Sequence, residues 1–186
     1  MADKILVYDL ECCCWMGKPP EGMCHEIIEF GYCIFDPFTK EISDKRSIII
    51  KPTRSEINWF CTKITGLTNK IVHAPANMFF KGSYCALMED IGHHGPMVAA
   101  AWGKSDKKIL EMECKRHKVK YPFEAGHLDV QTLFSSEMEQ KNGTSVAKAM
   151  DQLGLSFEGQ QHRAGDDAYN TAVILSRIYR DSPKKR

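Results

Sequence analysis

The apolar positions of this chain fall first into runs of strand length and later into helical spacings. "KILVYDLE", residues 4–11, is an apolar, β-branched stretch ending in carboxylates, the pattern of a buried central strand whose C-terminal end opens onto a site. After a loop containing Pro19, Pro20 and Gly22, "HEIIEFGYCIF" and "KRSIIIK" flank the turn segment "DPFTKE" and predict a hairpin of two further strands. A short helix is expected over residues 60–64 and a longer one over 78–91, closed by the glycines of "GHHG". "PMVAAAW" reads as a strand. Residues 106–117 carry Ile109, Leu110 and Met112 among Lys and Glu, which predicts an amphipathic helix with Ser105 as its N-cap. "HLDVQTLF" holds a short strand, "TSVAKAMDQLG" a helix capped by Thr144 or Ser145 and stopped at Gly154, and residues 164–179 the last helix. The order predicts an α/β sheet with an antiparallel hairpin and helices packed on its faces.

Composition narrows this picture only in places. With 186 residues, 43% of them hydrophobic, the chain suits one domain, with a core over about residues 4–180 and "DSPKKR" as a basic tail. A formal charge of +1 and 26% charged residues neither demand nor exclude a nucleic-acid partner. No apolar run reaches the ~18 residues of a membrane span. The opening "MADKILVYDL" lacks a secretory pattern, so the eight cysteines are expected as free thiols in a cytoplasmic setting. No cysteine pair has C-x-x-C spacing, and the run Cys12 to Cys14 reads as small, half-buried side chains rather than a zinc cage.

The chemistry-bearing residues lie at the ends of these elements. Asp9 and Glu11 are two apart at a strand end, so both side chains leave one face of the sheet. Their mutual repulsion calls for a cation, a proton or a donor, and hard divalent ions prefer such oxygens; solvated acids at an exposed strand end fit the pair equally well. Asp106 opens a helix, where the helix dipole alone would favour it. Asp167 sits in the first turn of the final helix, five residues after His162 in "HRAGDDA". Small Ala164 and Ala168 let that helix approach the sheet closely.

In this order, D-x-E, a middle Asp and H-x-x-x-x-D resemble the DEDDh family of 3′-to-5′ exonucleases. "EIIEFG", "FCTKITGLT" and "LGLSFEGQQHRAGDDA" are similar to its branch of histone-mRNA exonucleases and sporulation inhibitor KapD-like proteins, over about residues 4–180. The resemblance implies a ribonuclease H-like α/β fold with a mixed five-stranded sheet. It implies that Asp9, Glu11 and Asp167 hold one Mg²⁺ or Mn²⁺ ion, that Asp9 bridges to a second, that Asp106 completes the cluster, and that His162 is the general base. An imidazole can take a proton near neutral pH, which a permanently charged side chain cannot. Asp166, about 100° around the helix from Asp167, is left to cap or face water.

The same resemblance places Leu10 on the terminal nucleotide and the "CTKITGL" segment along its pocket. Thr65 and Gly66 could offer a hydroxyl or bare backbone to the sugar, and Phe60, Ile64 and Trp102 could pack a base, each aromatic having an equally plausible core role. Trp102, at a strand end, leans towards the core. Glu29 corresponds to a glutamate near the family's metal centre or simply faces water. The chain reads "DLECCC" where the branch reads "DFEATC", so Cys12 and Cys13 replace a small residue and a threonine. The basic cluster over residues 115–120 is an exposed helix end or a phosphate contact. The expected activity is release of nucleoside 5′-monophosphates from single-stranded 3′ ends, RNA before DNA. A DNA-directed, proofreading-type exonuclease and an inactive nucleic-acid-binding relative are the alternatives.

Overall fold

The computed structural model describes residues 4–179. Its elements, in chain order, are β1 (Ile5–Cys12), β2 (Ile27–Phe35), β3 (Ile42–Lys51), α1 (Trp59–Thr65), α2 (Asn69–Val72), β4 (Met78–Phe79), α3 (Phe80–Gly92), β5 (Val98–Ala101), α4 (Ser105–His117), β6 (His127–Asp129), α5 (Val130–Glu137), α6 (Val146–Gln152) and α7 (Ala164–Ile178). The sheet order is β4-β3-β2-β1-β5-β6. β1, β2 and β3 form the antiparallel meander, and β5 and β6 continue the sheet parallel to β1. The turn between β2 and β3 closes because Asp36 Oδ1 accepts the backbone N–H groups of Phe38 and Thr39.

Period-2 alternation along β1 sorts the core onto two faces. Leu6, Tyr8 and Leu10 join Phe80, Leu87 and Ile91 of α3 and Leu110 and Cys114 of α4. Ile5 and Val7 face the other way, against Phe134 of α5, Ala149 and Met150 of α6 and Ala172, Ile174 and Leu175 of α7. Asp9 and Glu11 continue that second row, so both acids emerge on the side that α7 covers. β2 is buried along its whole length, and Gly31 lies opposite Asp9 in the register. A Cβ at Gly31 would lie 2.0 Å from the carbonyl carbon of Ala164. The bare backbone there is what lets the start of α7 rest on the sheet.

The ribonuclease H-like α/β fold is present, with six strands rather than five. The addition is β4, whose two residues pair in parallel with Ile50 and Lys51 at the edge of the sheet. Met78 and Phe79 therefore extend a sheet instead of opening a helix, and α3 begins at Phe80. Ser105 is the first residue of α4 rather than its cap; Lys104 holds the cap position and makes no side-chain cap bond. Ser145, not Thr144, caps α6 by accepting the Lys148 N–H. Two short helices, α2 and α5, lie where only loop or strand was expected, and the tail over residues 181–186 lies outside the described residues.

Candidate active site

Three elements bring the four acids together. The end of β1 supplies Asp9 and Glu11, the first turn of α7 supplies Asp167, and the first turn of α4 supplies Asp106. One carboxylate oxygen each from Asp9, Glu11 and Asp167 lies within 4.8 Å of the others, the one such group of potential metal ligands among the described residues. Asp106 stands beside this trio, 9% exposed, with its carboxylate facing the Leu10 backbone N–H.

The electrostatics of the cluster are those of acids whose burial and mutual repulsion outweigh the nearby Arg163 and His162 charges. Burial pushes Glu11 up to about 8, and the charges of Asp167, Glu29 and Asp106 add to the shift. Asp106 is raised to about 7 by burial, with Asp167 contributing. Asp167 is raised to about 6 by burial, although the backbone N–H of His162 opposes the shift. Asp9 is driven well above the usual carboxylate range by burial and by Asp106, Asp167 and Glu11. Oxygen-only donors at this spacing, costly to ionise together, are the set that a hard divalent cation fits. The trio therefore suits a metal ion.

His162 lies on the segment leading into α7 with φ of 63°, and its side chain is 58% exposed. Its backbone N–H donates to Asp167 Oδ2 at 2.7 Å, and its Nδ1 is 4.0 Å from Glu11 Oε1. Asp166 accepts the Gln160 N–H at 2.8 Å and pairs with Lys45 at 2.7 Å, and these contacts, outweighing its burial, hold its pKa below the usual range. It therefore caps the segment.

A cleft of about 320 Å³ opens over these groups, lined by Asp9, Leu10, Glu11, Trp102, His162 and Asp167, and also by Ser145, Val146, Ala147 and Gln161. Those last four carried no chemical signal in the sequence. Ser145 to Ala147 form a wall because the Thr144 carbonyl accepts both the Trp102 Nε1–H (2.8 Å) and the Gln131 amide (2.7 Å). Trp102 packs on Phe134 in the core and also lines the cleft.

The α1 residues stand outside these walls. Phe60 and Ile64 are half-buried, and Trp59, beside Phe60, is 66% exposed. Thr65 is fully buried, and its hydroxyl donates to the Cys61 carbonyl and accepts the Leu67 N–H, so it has no hydroxyl to offer a sugar. Gly66 closes α1 at φ 73°, and a Cβ there would lie 3.0 Å from the side-chain nitrogen of Gln160 on the segment that carries His162. Glu29 does not face water. It is fully buried and holds Arg163, an ion pair the sequence did not reveal. All eight cysteines are free thiols, none in a metal-ligating group.

A family profile described as Exonuclease, of the RNase T type, matches residues 6–175. The human protein named 3′-5′ exoribonuclease 1 is 26% identical, covering 99% of this chain and 54% of its own length. The Bacillus subtilis protein named probable 3′-5′ exonuclease KapD is 23% identical, covering 96% of this chain and 86% of its own. The chain spans about half the length of the mammalian 3′-5′ exoribonuclease 1 proteins it matches. Among solved structures, the nuclease domain of 3′hExo, described as a DEDDh family member bound to rAMP, superposes with a TM-score of 0.85 at 26% identity, over 95% of this chain and 92% of that one.

Proposed function

Because the chain belongs to the RNase T exonuclease family, we propose that it is a single-domain, metal-dependent 3′-to-5′ exonuclease that removes nucleoside 5′-monophosphates from single-stranded ends, RNA before DNA. The observation that carries the reading is the convergence of Asp9, Glu11 and Asp167 beneath His162 in an open cleft. Two divalent cations, Mg²⁺ or Mn²⁺, held by these acids with Asp106, would supply charge to the attacking water and to the departing 3′ oxygen. His162 accepts the proton of that water on its ring, and its exposure suits a group that exchanges protons with solvent. Leu10 and Trp102, which line the cleft, pack the terminal nucleotide. Attack breaks the last phosphodiester bond, freeing a 5′-monophosphate and leaving a new 3′-hydroxyl.

The preference for RNA is supported by relatives named exoribonucleases and by the neighbouring structure bound to rAMP. The free thiols support a reducing, cytoplasmic setting. Digestion of 3′-recessed, blunt and single-stranded RNA and DNA, labelled at the 5′ end, with Mg²⁺ or Mn²⁺ tests the reading. Single-stranded RNA should shorten fastest. Shortening of neither polymer overturns the enzyme, and faster attack on DNA overturns the substrate preference.

A further inference from the structure

Residues 159–164, which carry His162 across the lip of the cleft, are held by three carboxylates. Asp166 accepts the Gln160 N–H at 2.8 Å, Asp167 accepts the His162 N–H at 2.7 Å, and Glu29 accepts the Ala164 N–H at 3.1 Å. The first two belong to α7 and fix the segment only to its own helix. Glu29 belongs to the sheet. It is completely buried, and it receives the Arg163 fork through Nε at 3.1 Å and Nη2 at 3.0 Å. Its register partner on β1 is Glu11, and the residue before Arg163 is His162.

We propose that Arg163 and Glu29 are positioning residues, whose two-bond pair ties the His162 segment to β2 and thereby sets the imidazole over Glu11. The inference rests on the exonuclease reading, in which His162 takes the proton. Two parallel bonds from a planar guanidinium fix direction as well as distance, which a lysine ammonium does not. His162 also holds a left-handed backbone conformation, which a non-glycine residue keeps only where its surroundings impose it. The bonds on either side of it, to Asp167 and to Glu29, supply that constraint.

A double-mutant cycle on end-labelled single-stranded RNA with Mg²⁺, joined to amide exchange on the metal-free protein, tests the pair. Arg163→Ala and Arg163→Lys should each lower kcat about 10- to 100-fold while KM stays within about twofold, since the groups packing the nucleotide are untouched. In a His162→Ala background the same replacements should change kcat less than about twofold, because no imidazole remains to be placed. Without metal, the His162 and Ala164 amides should exchange about tenfold faster in Arg163→Ala and in the near-isosteric Glu29→Gln than in the parent. Equal losses in both backgrounds would make the pair a support of the fold. Parental kcat in Arg163→Lys would make it a counter-charge, and unchanged exchange would show that it holds nothing; each overturns the proposal. If the parent protein shortens no nucleic acid, the exonuclease reading falls by itself and exchange still decides the tie.

Discussion

Glu26 and the acids of the cleft are taken out of water by the same sheet, and they respond in opposite ways. Glu26, 2% exposed just before β2, is met by the Thr53 N–H and hydroxyl on Oε1 and by the Arg54 and Ser55 N–H groups on Oε2, at 2.7–2.9 Å. Burial pushes its pKa up, but these donors prevail and hold it below the usual range. Asp9, Glu11, Asp106 and Asp167 have mainly one another, and all four rise. A carboxylate surrounded by donors stabilises the fold; carboxylates facing each other are tolerated for what they bind.

The widest gap between the two groups should appear on neutralisation. Asp9→Asn or Asp167→Asn should lower exonuclease activity by about 10³-fold or more, yet raise the melting temperature of the metal-free protein by roughly 2–5 °C, because one repelling charge is gone. A fall in melting temperature would erase the contrast. Glu26→Ala should do the reverse, costing roughly 2–4 kcal/mol in urea unfolding through four donors left without their acceptor, while the kcat of the folded fraction is unchanged.

Acidity sharpens the contrast further. Because the cleft acids hold protons more tightly folded than unfolded, metal-free stability should fall as pH rises from about 4, where the unfolded acids ionise, through the folded values of about 6, 7 and 8. Glu26, shifted the other way, contributes stability above the unfolded pKa that is lost only as pH drops below about 4. Calorimetry at pH 5 and 8 checks the sign, and added Mn²⁺ should raise stability more at pH 8. The smallest effect belongs to Asp166→Asn, which loosens the partly exposed Lys45 pair and should cost under about 1 kcal/mol in the same unfolding assay.

What could be read from the sequence follows from period and chain order. The alternation in "KILVYDLE" places Asp9 and Glu11 on one face, and the helical spacing behind Asp167 places it in a first turn, so their meeting was foreseeable once α7 lay against β1. Contacts between distant residues were not. Glu29 stands in an unbroken apolar strand, and its partner lies 134 positions away. Thr65 looked available because a sequence does not show that a helix end has already engaged its hydroxyl. Ser105 resembles a cap by residue type, but Gly103, at φ 87°, turns the chain so that Lys104 takes the place. β4 is held by its neighbour on the sheet, which two residues of local pattern cannot announce.

The bare α-carbon of Gly31 makes the separation between the β1 acids and Asp167 a matter of one methyl group. An alanine there would wedge the final helix off the sheet and draw the oxygen trio apart, with every ligand still in the chain. Inheritance of this chemistry therefore requires keeping a hydrogen atom in place as well as four carboxylates.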